Sequence, residues 1–188
     1  MARLLPAALL LWTALGVLGS TPEYDSAKQK IDKISSDQAP RGSTTVLTPA
    51  EVNAYVQGQA AEEAPEGLKN IKVELRQGAL TWSGLVNFAK LPKLESLSSN
   101  WLLSRILQGE KPVVIQARLK SAGGKATVDV DSVSISDTKF EGRTLDFLVE
   151  RLLASFQPDA KIGEEFPLKH NVEYVRIQPT GILIKQFD

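Results

Sequence analysis

The sequence predicts an α+β domain in which a strongly curved antiparallel sheet wraps around a long helix. Three observations lead to this prediction. Segments of alternating apolar and polar residues occur in pairs joined by short glycine-containing turns, which is the pattern of antiparallel hairpins. Apolar stripes of helical period lie between these pairs. One strand also changes parity halfway, which indicates a bulge that bends the sheet.

The composition excludes several classes of function. The chain has 188 residues, with 22 basic against 22 acidic side chains, one histidine and no cysteine. Balanced charge argues against a nucleic-acid partner, because neutralising phosphates requires a surplus of cations. Without cysteine there is no thiolate metal site or disulfide framework, and one histidine cannot form a multi-histidine site. We therefore expect no metal and no cofactor.

Residues 1–20 have the layout of a signal peptide. An arginine precedes the apolar run Leu4–Leu18, and Val17 and Gly19 stand before the expected cut at Ser20. The run has about 15 residues, fewer than the roughly 20 that a membrane-spanning helix needs. We expect an exported protein, periplasmic or extracellular, that is soluble after cleavage. The alternative is a chain that stays anchored in the membrane by this segment.

The remaining chain divides into a polar lead-in over residues 21–44 and a single domain over residues 45–188. The lead-in is predicted to hold a weak helix at 23–36 and then a linker containing Pro40 and Gly42.

The first clear helix begins after Thr48. This residue is the predicted N-cap, Pro49 takes the first helical position, and Glu51 completes a capping box. Asn53 lies in the first turn, where its amide can bond a neighbouring loop or strand. The helix is predicted to end within residues 58–64.

A first hairpin follows, with strands at 71–75 and 80–88 and a turn at Gln77–Gly78. Gly84 lies inside the second strand and indicates a bend or a close backbone approach. Residues 91–109 are predicted to be a short helix or a lid-like connection.

The second hairpin has a strand over 113–120, a turn at Gly123–Gly124, and a return strand whose apolar parity changes near Asp131. Residues 143–156 carry the clearest helical stripe. A last hairpin turns at residues 178–181.

Residues that could support catalysis are scarce. His170 is the only histidine, and no Gly-x-Ser-x-Gly motif supplies an activated serine, so His170 is predicted to be a residue at the end of a strand. The pairs Glu62–Glu63 and Glu164–Glu165 fall in polar turns and are predicted to be solvated. We expect no catalytic residue and no enzymatic activity.

The residues that the sequence offers for function are instead its large apolar side chains. A curved sheet over a helix can leave a groove that binds a hydrophobic ligand with few polar groups. The predicted groove residues are the large apolar side chains of the strands and helices, namely Trp82, Val86, Phe88, Trp101, Leu102, Ile115, Leu148, Leu152 and Phe156.

From this predicted groove we expect a protein that binds or carries a lipid or another hydrophobic small molecule. Any contact with a membrane would be transient and hydrophobic. The alternative is a structural or interaction protein of the cell envelope with a filled core. Such a protein would bind a partner protein through a sheet edge or through residues 91–109.

Three segments carry a family resemblance. Small exported bacterial proteins of the YpmS and LmeA kind have similar segments to Leu47–Tyr55 (LTPAEVNAY), to residues 65–73, and to the late helix at 145–156 followed by the closing hairpin at 177–183. These proteins are related to the tubular lipid-binding (TULIP) superfamily, in which a curved sheet wraps a long helix around an apolar tunnel. The resemblance spans most of residues 45–186 and implies binding of a hydrophobic ligand at the cell envelope. No motif defines the family's ligand residues, so none is transferred.

Overall fold

The computed structural model describes residues 21–90, 108–142, Leu145 and 163–188. Over these residues the fold is α+β, as predicted. The helices are α1 (Pro22–Ser35) and α2 (Pro49–Glu63). The strands are β1 (Thr44–Leu47), β2 (Leu68–Arg76), β3 (Ala79–Asn87), β4 (Glu110–Ala122), β5 (Lys125–Ile135), β6 (Thr138–Phe140), β7 (Glu165–Pro167), β8 (Val172–Gln178) and β9 (Gly181–Gln186).

The described strands form two antiparallel sheets. The smaller sheet has the order β1-β9-β8, and the larger has the order β2-β3-β4-β5-β6, with β7 also paired to β5. The prediction of a single, strongly curved sheet is wrong for these strands. They form two sheets, and neither is strongly curled. The long helix predicted over residues 143–156 lies outside the described residues, except for Leu145, which is helical and 3% exposed.

The turns and the bulge confirm the sequence prediction. Gly123 and Gly124 join β4 to β5 with φ of 57° and 78°, left-handed values that glycine adopts without strain. In the β4–β5 register, Gln116 pairs with Ser132 and Ala117 with Val130, so Asp131 is the extra residue of a β-bulge.

One boundary differs from the prediction. Phe88 was expected on the second strand, but β3 ends at Asn87 and Phe88 begins a short 3-10 turn that ends at Lys90. Phe88 remains buried there, because the turn directs it into the same apolar cluster as Val86.

The predicted start of α2 is also confirmed. The Thr48 hydroxyl accepts a hydrogen bond from the Glu51 N–H at 3.2 Å, and a Glu51 carboxylate oxygen accepts one from the Thr48 N–H at 2.8 Å. This reciprocal pair satisfies two N–H groups that the helix itself leaves without acceptors.

α1 packs against α2 through an aromatic pair. The Tyr24 and Tyr55 rings stack with centroids 6.0 Å apart, and the Tyr24 hydroxyl donates to Glu62 at 2.9 Å. The Tyr24 ring also lies directly on Gly58 of α2, where a β-carbon would overlap it. Ala27, one turn along α1, is completely buried. The helix predicted at 23–36 is therefore docked on the domain.

A Gly58→Ala variant is expected to lose about 1 to 3 kcal/mol of unfolding free energy, although alanine is the better helix former. The reason is that the new β-carbon overlaps a Tyr24 ring held by its stacking and its hydrogen bond. Urea unfolding measures the change.

The control for this substitution is the Tyr24→Ala background. There the overlap is absent, so Gly58→Ala should be neutral or stabilising by up to about 1 kcal/mol. An equal loss in both backgrounds would contradict the proposed overlap.

Two sheet edges are closed by hydrogen bonds from other parts of the chain. On β8, the Ser121 hydroxyl accepts from the Val175 N–H at 2.7 Å and donates to the Val175 carbonyl at 2.5 Å. The N–H groups of Gly78 and Gly124 donate to the carbonyls of Ile177 and Glu173 on the same strand. Paired edge groups are unavailable to another strand.

The edge of β2 is closed by α2. The Asn53 amide accepts from the Val73 N–H at 2.7 Å and donates to the Val73 carbonyl at 2.8 Å. One turn further along α2, Gln57 donates to the Ile71 carbonyl at 2.8 Å. The expectation that Asn53 bonds a neighbouring strand is confirmed. The side-chain amides of Asn53 and Gln57 bond the β2 backbone groups that a further strand would otherwise pair with.

Candidate functional site

The larger sheet has one apolar face, built from residues of the same parity on β3, β4 and β5. Cross-strand pairing aligns these residues in three rows, which are Leu80–Ala117–Val130, Trp82–Ile115–Val133 and Gly84–Val113–Ile135. The alternation arises because successive side chains of a strand point to opposite faces. The Asp131 bulge preserves the face by correcting the parity of β5.

Burial along this face is uneven. At one end lies the sheet cluster, whose buried members are Val86, Phe88, Val113, Val133, Ile135, Phe140 and Leu145. At the other lies the helix cluster, whose buried members are Ala27, Leu47, Val52 and Val73. Between them, Leu80, Trp82, Ile115, Ala117 and Val130 are only partly buried. The middle of the face therefore retains accessible apolar surface.

Trp82 connects the two clusters, since it packs against both. Its indole lies along β3 and covers Gly84, two residues further on the same face. A β-carbon at Gly84 would stand 2.9 Å from Cη2 and 3.2 Å from Cζ2 of the indole. The sequence predicted a bend or a close backbone approach at Gly84. The Lys69 carbonyl oxygen would lie 3.3 Å from this β-carbon, but the nearest group is the Trp82 side chain of the same strand.

The opposite face of the same sheet is polar. Arg118 pairs with Asp131 at 2.6 Å, and Lys69 with Glu110 at 2.7 Å, with all four side chains at least about one-third exposed. Asp131 holds the Arg118 guanidinium in its charged form and raises its pKa. Such exposed pairs contribute little stability, and these four side chains are solvated.

Four of the nine predicted groove residues are described, and the structure brings them together. Trp82 and Ile115 are cross-strand partners, and both pack against the sheet cluster that contains Val86 and Phe88. The other five, Trp101, Leu102, Leu148, Leu152 and Phe156, lie outside the described residues.

The predicted groove residues did not include Leu80, Ala117 and Val130, although these form one row of the same apolar face. Their strand parity is the signal that finds them. Val130 can be placed on this face only when the bulge is taken into account, because the parity of β5 changes at Asp131.

The ionisable groups of the described residues are arranged differently. His170 Nδ1 lies 3.3 Å from Asp37 Oδ1 in the turn before β8, as expected for a residue at a strand end. No set of three histidine, aspartate or glutamate side chains that could hold a metal ion occurs in the described part of the chain. An open depression along α1 is lined by polar and charged residues such as Lys28, Gln29 and Asp32.

One buried ionic cluster joins α1, β1 and α2. Glu51 is 6% exposed and accepts from Lys30 Nζ at 2.6 and 2.8 Å and from the Ser26 hydroxyl at 2.5 Å. Lys30 also donates to the Val46 carbonyl at 2.9 Å. Burial raises the pKa of Glu51, but hydrogen bonds from Lys30, Ser26 and the Thr48 N–H outweigh it and lower this pKa to about 2. The cluster is satisfied internally, which marks it as structural.

The fold and the face define an α+β protein with an amphipathic antiparallel sheet. Scans against protein-family models, curated proteins and solved structures each found no match. Within the described ranges, no helix is long and apolar enough to cross a membrane.

Proposed function

We propose that this chain is an exported, non-enzymatic protein that binds or carries a lipid-like hydrophobic ligand at the cell envelope, on the apolar face of the β2–β6 sheet. One observation carries the proposal. The middle of that face, around Trp82, Ile115 and Ala117, is only partly buried, whereas the clusters at both ends are buried. A soluble domain that leaves a row of apolar side chains partly open has surface available for an apolar partner.

The chemistry of these partly buried side chains indicates the kind of ligand. Leu80, Ala117, Ile115 and Val130 offer no hydrogen-bonding side-chain groups, so this part of the site can favour only hydrocarbon. Each methylene group taken out of water contributes about 0.8 kcal/mol, so an alkyl chain can be held without polar recognition. A charged headgroup would remain outside the row, because burying it without a partner is costly.

We also propose that the helix predicted over residues 143–156 packs against the larger sheet. Leu145 supports this proposal, since it is helical and buried against Val133, Ile135 and Phe140 of the larger sheet.

The test places a large side chain in the row Leu80–Ala117–Val130. Ala117 stands between Leu80 and Val130, and a phenylalanine there would occupy the space assigned to the ligand. We expect Ala117→Phe to weaken binding of the fluorescent fatty acid dansylundecanoate at least about tenfold, with little change in thermal stability. Fluorescence titration and thermal unfolding measure the two effects.

Val114→Phe is the matched control. Val114 neighbours Ala117 on β4, but it faces the opposite side of the sheet between Ser83 and Ser134 and is 36% exposed. Its replacement should leave binding unchanged. If instead Ala117→Phe destabilises the protein by about 1 to 3 kcal/mol and the native chain binds no probe, the row is a filled core and the proposal fails.

Native mass spectrometry of the protein purified from cell envelopes tests the same proposal without a chosen probe. We expect a bound species with the mass of a lipid, and its loss in Ala117→Phe. Consistent recovery of the bare polypeptide from native cells would count against a carrier.

The alternative function, docking of a partner protein on a sheet edge, has less support. The β8 edge is closed by Ser121, Gly78 and Gly124, and the β2 edge by Asn53 and Gln57. A partner strand would have to displace these hydrogen bonds before forming its own.

A further inference from the structure

The smaller sheet has an outer face, which is turned away from the helices. Cross-strand pairing aligns the side chains of this face in two rows, Val46–Leu183–Arg176 and Thr44–Lys185–Tyr174. We propose that the outer face is a contact surface for membranes that contain anionic lipid. The choice of a membrane as the partner rests on the proposed function, because a lipid-like ligand at the cell envelope has to be exchanged with a bilayer.

The exposure of these rows follows from the packing of the opposite face. Leu47, Ile182 and Ile184 of that face pack in the helix cluster, which contains residues of α1 and α2. Because successive side chains of a strand alternate between faces, the outer rows point away from this cluster. Val46 is 41% exposed, more than any other large apolar side chain of the described residues, and Arg176 is also exposed.

The outer face has a local surplus of positive charge, although the whole chain has none. Its six positions hold two cations, Arg176 and Lys185, and no acid. The Arg176 guanidinium lies 4.4 Å from the centroid of the Tyr174 ring and forms no ion pair with another described residue. Lys185 Nζ is 3.9 Å from the Asp188 carboxylate, which lies beyond the end of β9 and is 98% exposed.

The polar face of the larger sheet differs in this respect. Its cations Arg118 and Lys69 are each paired with a carboxylate at 2.6 or 2.7 Å. A face whose charges are already balanced has no preference for an anionic partner, whereas the unpaired Arg176 does. A second copy of this chain does not suit the outer face, because it would bring the same cations together without an acid between them.

The side chains of the outer face match the layers of a bilayer surface. Val46 and Leu183 can enter the boundary between headgroups and acyl chains, while Arg176 and Lys185 meet the lipid phosphates. Tyrosine is typical of this interface, because its ring is apolar and its hydroxyl is polar. Each cation close to an anionic leaflet strengthens the contact only about fivefold, so the contact is reversible, as a carrier requires.

Co-sedimentation with lipid vesicles tests the inference. We expect the native chain to bind vesicles of phosphatidylglycerol, and to bind vesicles of phosphatidylcholine at least about tenfold more weakly. Raising the salt concentration from about 0.05 M to about 0.5 M should weaken binding to phosphatidylglycerol, because salt screens exposed charges.

Two variants place the contact on the outer face. Arg176→Gln should bind phosphatidylglycerol vesicles about fivefold more weakly, and Val46→Asp at least about tenfold more weakly. The matched controls, Arg118→Gln and Val114→Asp, make the same changes of charge at exposed positions of the larger sheet and should stay within about twofold of native binding. Thermal unfolding checks that the variants are folded, and Arg176→Gln tests the inference even if Val46→Asp folds poorly.

The outcomes separate this inference from the proposed function. If the native chain binds neither kind of vesicle, or if the controls weaken binding as much as the outer-face variants do, the inference is wrong. It is also wrong if the chain leaves vesicles unbound but retains an acidic protein that Arg176→Gln loses. The dansylundecanoate titration decides the proposed function separately, so a chain that binds the probe but no vesicle keeps that function, and one that binds vesicles but no probe loses it.

Discussion

A Glu51→Gln variant is expected to unfold with a free energy about 3 kcal/mol lower than the native chain at neutral pH. The difference should shrink as the pH falls from 4.5 towards 2, because the pKa of Glu51 is lowered from 4.5 to about 2 in the folded protein. Burial disfavours the carboxylate, but hydrogen bonds from Lys30, Ser26 and Thr48 more than compensate. The folded protein therefore stabilises the charged form of Glu51 more than the unfolded chain does.

The sign follows from proton linkage. A carboxylate whose pKa is depressed on folding contributes its full stability above the unfolded pKa and loses it as the pH falls through the folded pKa. The shift of about 2.5 pKa units corresponds to about 3 kcal/mol at 1.36 kcal/mol per unit. Glutamine cannot ionise, so the variant lacks this contribution at every pH.

Urea unfolding of both proteins between pH 7 and pH 2.5 measures the difference. The titration of all other carboxylates is common to both chains and cancels. Glu74→Gln is the matched control, since Glu74 pairs with Lys72 at 2.7 Å but is 48% exposed, and its loss should have a small effect. A Glu51→Gln difference that stayed constant over this pH range would contradict the role assigned to the ion pair.

The second large effect is expected at Asn53. Asn53→Ala should lower the free energy of unfolding by about 2 to 3 kcal/mol, because it leaves the Val73 N–H and carbonyl without partners in a partly buried position. It also opens the edge of β2, so the variant should self-associate at high concentration. Chemical unfolding and analytical ultracentrifugation measure the two effects.

Two further variants test this prediction by comparison. Gln57→Ala removes a single hydrogen bond to the same strand, to the Ile71 carbonyl, and should cost about 1 kcal/mol. Asn53→Asp keeps an acceptor for the Val73 N–H but places a carboxylate oxygen against the Val73 carbonyl, so it should not restore native stability. Equal stability of Asn53→Ala and Gln57→Ala would show that the double hydrogen bond has no special weight.

Much of the candidate site could be predicted from sequence because strand parity is a local property. Trp82, Val86 and Ile115 were assigned to one face from alternation alone, and the pairing of β3 with β4 confirms it. The relation between Trp82 and Gly84 was harder to predict. The glycine indicated a close approach, but which group approached depended on the direction of the indole, and neighbouring strands and clusters determine that direction.

The arrangement of the sheets could not be predicted in the same way. Each hairpin was identified from its turn, but the pairing of β1 with β9 joins residues far apart in sequence and separates the last hairpin from the larger sheet. A period of two predicts a strand and its buried face, but it does not determine the partner strand.

Local sequence was sufficient for the two described helices, the six longer strands, the capping box of α2, the glycine turns and the Asp131 bulge, because each depends on a few adjacent residues and their preferred dihedral angles. The short strands β1, β6 and β7 were not predicted from it. The contacts that hold the elements together needed the folded chain. Lys30 meets Glu51, Tyr24 covers Gly58, and Asn53 closes β2 across separations of about 20 residues or more. These pairings satisfy buried charges, surfaces and backbone groups that only become neighbours when the helices pack on the sheets.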